Sequence, residues 1–311
     1  MEYLEISVIS FAVSYILTPY LAQVGKKQNM VDLPNHRKIH QEAVPNLGGI
    51  AIFFGFLLSL LFIVQIEGQV KIFLIGGIII LLLGVIDDIV DLPPKYKFLI
   101  QVIPATLVII YNKELINSFI INQLNSLNVL GYLTYPIIII WIVGVTNSIN
   151  LIDGLDGLAG GVSVISLLAF LILGWTQNYR ILNLMSLALA VSILAFLKYN
   201  FYPAKIFLGD SGSTFTGFML ASIGALWVLK SGNIIYVFIP VIVLALPIFD
   251  TSFAIFRRYR GHIPIFQADK RHLHHCLLAR GISHKNAVLV LWGISTICSL
   301  VAIILAWKLK M

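Results

Sequence analysis

Charged residues are scarce in this sequence. Asp, Glu, Lys and Arg together make up 11% of its 311 residues, and 59% are hydrophobic. A soluble domain carries about 25% charged residues, so an ordinary water-soluble globular fold is excluded. Cysteine is nearly absent. Cys276 and Cys298 have no metal-site spacing and do not suggest a disulfide framework. No linker, low-complexity tract or block of like charge divides the chain, so one membrane domain over residues 1–311 is expected. The first apolar run, about Ile6 to Val24, lacks a small-residue cleavage site and follows acidic rather than basic residues. A retained helix is expected there, not a signal peptide. The net charge of +7 reads as loop bias plus anion handling rather than nucleic-acid binding.

What the chain has in abundance is apolar runs near the length that spans a bilayer as a helix, roughly 20 residues. They fall at about 4–24, 47–66, 70–86, 97–111, 132–146, 158–174, 181–198, 213–229, 233–256 and 287–307. The expected fold is all-α: a polytopic transmembrane bundle of ten helices, or eleven if 112–131 or 199–212 hides another. The loops after the odd-numbered spans hold 15 Lys and Arg, and the other side holds 6. The excess marks the cytoplasmic side and puts both termini outside.

A second, independent asymmetry follows the same division. All nine Asp and all seven His lie in, or at the membrane border of, the five cytoplasmic segments. A transporter would place ionisable groups at mid-membrane. Gathering them on one face points instead to chemistry at a membrane–water boundary.

Four segments carry that chemistry. Asp87-Asp88-Ile-Val-Asp91 ends the third span; Asp87 and Asp91, four apart, are expected on one helix face, where like charges need a cation or a proton between them. Lys95 and Lys97 follow as phosphate-facing charges. In the second segment, Asn147 and Asn150 offer amide oxygens for a hard cation such as Mg²⁺, or Mn²⁺ in its place, and Asp153 and Asp156 can read N–H or O–H groups of a base or ribose. The third runs from Asn200 through Phe207 to Asp210-Ser-Gly-Ser213. Phe207 can stack on a nucleobase, and backbone N–H groups at the start of the next helix suit a phosphate. Its plainer explanation is an ordinary helix cap. The fourth, Asp269-Lys270-Arg271-His272-Leu-His274-His275, has no zinc-site spacing and reads as a cationic pocket for a diphosphate, or as a surface run of basic residues.

Together these segments resemble the polyprenyl-phosphate N-acetylhexosamine-1-phosphate transferase family, in order, from about Asp32 to Gly281. Asp32-Leu-Pro-Asn-His-Arg37-Lys-Ile-His40 with Pro45-Asn-Leu-Gly48-Gly49 looks like that family's first cytoplasmic loop. The His272-Leu-His274-His275 tract resembles the bacterial N-acetylglucosamine-1-phosphate branch, the WecA/TagO type. The muramoyl-pentapeptide enzymes usually show three consecutive histidines, and often Lys where this chain has Asp91.

The resemblance implies catalytic roles for Asp87, Asp88, His274 and His275, and magnesium contacts for Asp210 and Asn150. It places Asp153, Asp156, Asn200 and Phe207 in a uridine pocket and Lys95, Arg271 and His272 at the phosphates and sugar. It implies a bacterial inner-membrane enzyme with UDP-N-acetylglucosamine, undecaprenyl phosphate and the bilayer as partners, no nucleic acid, and a homodimer left open. Two rivals fit less well. An intramembrane prenyltransferase would carry a better second Asp-rich motif and leaves the His tract unexplained. A lipid flippase or transporter would show inverted repeats.

Overall fold

In the computed structural model, which describes residues 1–32, 43–66, 68–124, 129–264 and 272–310, the chain is a helical bundle. Its helices are α1 (Glu2–Lys27), α2 (Gly48–Ile63), α3 (Gly68–Val90), α4 (Pro94–Tyr111), α5 (Lys113–Leu124), α6 (Val129–Tyr132) and α7 (Thr134–Ile152). There follow α8 (Leu158–Thr176), α9 (Arg180–Asn200), α10 (Gly209–Ser231), α11 (Phe238–Val243), α12 (Ala245–Arg260), α13 (Leu273–Ala279) and α14 (His284–Lys310). Two-residue strands β1 (Val31–Asp32) and β2 (Val44–Pro45) pair antiparallel between α1 and α2.

Each of the ten apolar segments coincides with a helix or a bent pair of helices. Among the described residues seven helices are long and apolar enough to cross a bilayer, or up to nine if each bent pair is one span; α2, with 16 residues, is shorter. The first bent pair joins α4 to α5 at 70°, the second joins Ile234–Val243 to α12 at 86°. Pro247 explains part of the second break: it cannot donate a hydrogen bond to Val243, four residues back. The stretch 112–131 therefore holds a bent continuation of α4, and 199–212 holds an irregular loop; neither contributes a separate helix of spanning length among the described residues.

The packing inverts the soluble pattern. On α1 the large side chains Leu4, Val8, Phe11 and Ile16 are exposed, while the small Ser10, Ser14 and Thr18 are buried. Small hydroxylated residues let backbones approach and bond across: Ser14 Oγ donates to Ser192 O at 2.7 Å. Helix α10 sits at the centre, nearly every residue buried against α2, α3, α7 and α8. Its N-terminus is wedged between two glycines. A Cβ on Gly49 would lie 2.2 Å from Gly212 N, and one on Gly84 would lie 2.4 Å from Ser211 Cα. That wedge places Asp210 directly beside the end of α3.

Candidate active site

The C-terminal ends of α3, α7 and α9, the N-terminal ends of α10 and α14, the β1–β2 pair and α13 meet at one end of the bundle around a cavity of about 800 Å³. Of the residues singled out from the sequence, Asp87, Asp88, Asn150, Asp153, Asp156, Asn200, Phe207, Asp210 and His275 all line it. They come from segments up to 188 positions apart, counting from Asp87 to His275.

The core of the cavity is a carboxylate cluster. Lys97 Nζ forms an ion pair with Asp87 Oδ2 and another, at 3.4 Å, with Asp210 Oδ2. Asp87 is buried, and its Oδ1 accepts the Leu92 N–H at 2.9 Å. Asn150 Nδ2 donates to Asp210 Oδ1 at 2.8 Å and lies 2.9 Å from Ser213 Oγ, which leaves the Asn150 amide oxygen uncommitted in these bonds. Asp88 reaches across from α3 to cap α10: its Oδ1 accepts Asp210 N–H at 2.9 Å and its Oδ2 accepts Ser211 N–H at 3.1 Å. The leading amides of α10 are thus taken by a protein carboxylate instead of standing open to a phosphate, because the helix start is packed against α3. Helix α3 stops at Val90, and Asp91 takes a left-handed φ of 52°, so Asp91 leaves the helical face expected to hold both it and Asp87, while still lining the cavity.

The wall is built from the turn after α7 and the loop after α9. Asn200 ties them together: its Oδ1 accepts Gly157 N–H at 3.0 Å and its Nδ2 donates to Ile206 O at 3.0 Å. Asp156 Oδ2 accepts Ala204 N–H at 2.9 Å, and the Asp156 N–H donates to His284 Nε2 at 3.0 Å. His284 stacks on Tyr202, ring centroids 4.5 Å apart, and both line the cavity. Asp153 lies at the floor, enclosed by protein yet open to the cavity. Burial, reinforced by the charges of Asp210, Asp88 and Asp156, pushes its carboxyl well above the usual carboxylate range.

The His tract divides by role. His275 lines the cavity. His274 is buried, tilted against His275 at 4.3 Å, and its Nδ1 meets no hydrogen-bond partner among the described residues. Burial first, then His275 and His272, lowers its pKa to about 4, so it is neutral near pH 7. It presses on Gly154, where a Cβ would lie 2.3 Å from its Nε2. His272 does not reach the cavity; it is buried with Nδ1 2.8 Å from Asp250 Oδ2, which corrects its expected place at the phosphates and sugar. Lys95 is likewise displaced: it is exposed, over the Tyr96 ring, and Lys97 takes the position at the carboxylates. Arg271, with Arg37 and His40, lies outside the described residues.

Asp250, His284 and Tyr202 were not singled out as site residues from the sequence. For Asp250 a signal existed, an acid inside an otherwise apolar run. Among the described residues no three His, Cys, Asp or Glu side chains converge as a closed metal cage would. Mg²⁺ asks for less: one or two carboxylates, with water and phosphate oxygens completing the shell. Asp210, Asp87 and the Asn150 oxygen form a donor set of that open kind, so the residues fit the ion.

A profile described as glycosyl transferase family 4 matches residues 70–228. Over 96% of this chain and 83% of the relative, the sequence is 40% identical to the probable undecaprenyl-phosphate N-acetylglucosaminyl 1-phosphate transferase of Bacillus subtilis. It is 32% identical to the undecaprenyl-phosphate alpha-N-acetylglucosaminyl 1-phosphate transferase of Pasteurella multocida, over 96% of this chain and 85% of that one. The decaprenyl-phosphate N-acetylglucosaminephosphotransferase of Mycobacterium tuberculosis is 29% identical over 90% of this chain and 76% of its own length.

Proposed function

The chain belongs to glycosyl transferase family 4, and on that premise we propose that it transfers N-acetylglucosamine-1-phosphate from UDP-N-acetylglucosamine to undecaprenyl phosphate, releasing UMP. The observation that carries the reading is the convergence of Asp87, Asp88, Asn150, Asp153, Asp156, Asp210 and His275 on one cavity at the end of a membrane-type bundle. Such a place lets a soluble nucleotide meet a lipid headgroup without either leaving its own phase.

In the proposed reaction an oxygen of the lipid phosphate bonds to the phosphorus next to the sugar. The bond from that phosphorus to the bridging oxygen breaks, and UMP leaves with that oxygen. One diphosphate replaces another, so the equilibrium constant is near unity. Asp87 orients the lipid phosphate or takes its proton; a covalent aspartyl-phosphate is the alternative route through the same carboxylate. Lys97, held between Asp87 and Asp210, offsets the anionic charge gathering there. Asp88 keeps Asp210 in place through the α10 amides. Held by Asp210 and Asn150, a Mg²⁺ ion, or Mn²⁺, would neutralise diphosphate oxygens. Asp153, Asp156 and Phe207 take the uridine end, on a wall braced by Asn200. Asp153, enclosed and with its carboxyl pKa raised, is suited to pair with an N–H or O–H of a neutral base or ribose.

The finer features of the reading are a single bundle of ten spans in the bacterial inner membrane, both termini outside, and the cavity on the cytoplasmic face. The one-sided Lys and Arg distribution supports that orientation. The test is purified enzyme with undecaprenyl phosphate, Mg²⁺ and each of UDP-N-acetylglucosamine, UDP-N-acetylgalactosamine and UDP-muramoyl-pentapeptide. UMP release fastest with the first is expected. Release with none of them overturns the proposal, and a faster second or third substrate moves it to another branch.

A further inference from the structure

Asp250 lies on α12, in the run Ala245-Leu-Pro-Ile-Phe-Asp250-Thr-Ser-Phe-Ala254. It does not line the cavity. A buried carboxylate on a membrane-type helix is costly unless its oxygens are used, and both are. Oδ2 lies 2.8 Å from His272 Nδ1, and Oδ1 accepts the Leu273 N–H at 2.8 Å. The first contact fixes the His272 ring and its tautomer. The second satisfies a leading amide of α13 from another helix, where His272, the residue at the cap position, supplies no side-chain bond of its own.

Helix α13 has seven residues, too few to hold its own geometry. Its placement must come from outside, and the contacts lead in a line from Asp250 to the cavity. The His272 ring lies parallel to that of His274, centroids 5.8 Å apart and planes 7° apart. His274 is tilted against His275, which lines the cavity, and presses on Gly154 in the turn that carries Asp153 and Asp156.

We propose that Asp250 is a positioning residue for the transferase reaction, setting where His274 and His275 stand against the cavity by holding His272 and the first turn of α13. The proposal rests on the transferase reading. Its mechanical part does not, and the experiment separates the two.

The full-length chain is compared as wild type, Asp250→Asn, Asp250→Ala, His274→Ala and the Asp250→Asn/His274→Ala double variant. Turnover number, KM for UDP-N-acetylglucosamine and UMP affinity are measured on the monodisperse fraction. Asn keeps an oxygen for the Leu273 N–H and loses the charge facing His272. Asp250→Asn is expected to lower kcat about tenfold and Asp250→Ala about a hundredfold, a displacement-sized effect, with UMP affinity within about twofold of wild type. Because Asp250 acts through the histidines, the double variant is expected to turn over within about twofold of His274→Ala alone. Losses that multiply, or a wild-type kcat in Asp250→Asn, overturn the proposal. If the wild type releases no UMP, the transferase reading falls, and the mechanical part is read from maleimide labelling of Cys276, which is exposed on α13. Labelling several-fold faster in Asp250→Ala supports the clamp, and an unchanged rate refutes it.

Discussion

At one end of the bundle a cavity of about 800 Å³ is lined by seven aspartates. At the other, where α2 and α4 end and α3 and α9 begin, a cavity of about 750 Å³ lies among Gln65, Gln69, Tyr111 and Arg180. The volumes hardly differ; the state of the polar groups does. At the second end they satisfy one another. Tyr179 donates its hydroxyl hydrogen to Gln69 Oε1, Gln69 Nε2 donates to Asn112 Oδ1 at 2.8 Å, and Arg180 pairs with Glu2. At the first end Lys97 answers two carboxylates at once, and Asp153 stands enclosed among the like charges of Asp210, Asp88 and Asp156. Cavity size therefore does not distinguish a working site from a packing gap. Carboxylates in excess of cations do, since a fold keeps them there only for something that arrives from outside.

The sharpest break of that contrast is a pair of substitutions. Asp210→Ala removes one of the two partners of Asn150 and one of the two partners of Lys97. Turnover is expected to fall about 10³-fold, equivalent to about 4 kcal/mol of barrier. Gln69→Ala, at the other end, is expected to leave turnover per folded molecule within about twofold. UMP release on matched preparations measures both, and equal losses would erase the distinction between the ends. A smaller contrast uses backbone space. Gly154→Ala drives a Cβ to 2.3 Å from His274 Nε2, while Gly144→Ala, earlier on the same stretch of chain, meets nothing within 4 Å. A loss of about 10²-fold is expected for the first and little change for the second. Normal turnover in Gly154→Ala would show that His274 can yield without consequence.

Much of the acidic end was readable before any coordinates. Apolar runs near bilayer length mark helices by themselves, and the one-sided Asp and His placement requires only counting. What escaped needed a second element. Lys95 and Lys97 look alike in sequence, yet two residues on an α-helix turn through about 200°, so once α4 starts at Pro94 only one of them can face the carboxylates. The role of Asp88 depends on α10 being wedged beside α3 by Gly49 and Gly84, which no local pattern announces. His272 reads as a ligand residue only while Asp250 stays hidden inside an apolar segment.

A pH experiment sharpens the comparison by a smaller margin. The folded His274 has a pKa of about 4 and the unfolded one an ordinary value near 6.5. As pH falls below about 6.5 the unfolded chain takes up a proton that the folded chain refuses, so stability falls with pH and the loss levels off below about 4. The charges of His275, His272, Asp250 and His284 also act on the ring, so the informative quantity is a difference. At pH 5.5 the wild type is expected to lose about 1.4 kcal/mol relative to pH 7.5 that His274→Asn does not lose. Thermal melts of both proteins at the two pH values read this, and parallel curves would mean that the folded ring takes up its proton over the same pH range as the unfolded one.

The smallest effect belongs to the paired end. Burial pushes the Tyr179 phenol up to about 12, so it stays a donor throughout the working pH range, and Lys230 lies 5.4 Å from its ring centroid. Tyr179→Phe keeps the ring and deletes only the hydroxyl that donates to Gln69. A loss of about 1 kcal/mol in stability is expected, the ordinary value of one hydrogen bond, with turnover per folded molecule unchanged. The two ends then differ in kind: at one a lost polar atom costs chemistry, and at the other it costs only a small amount of folding. A drop in turnover beyond the loss of folded protein would show that the second cavity communicates with the first along α3 or α9, the helices that border both.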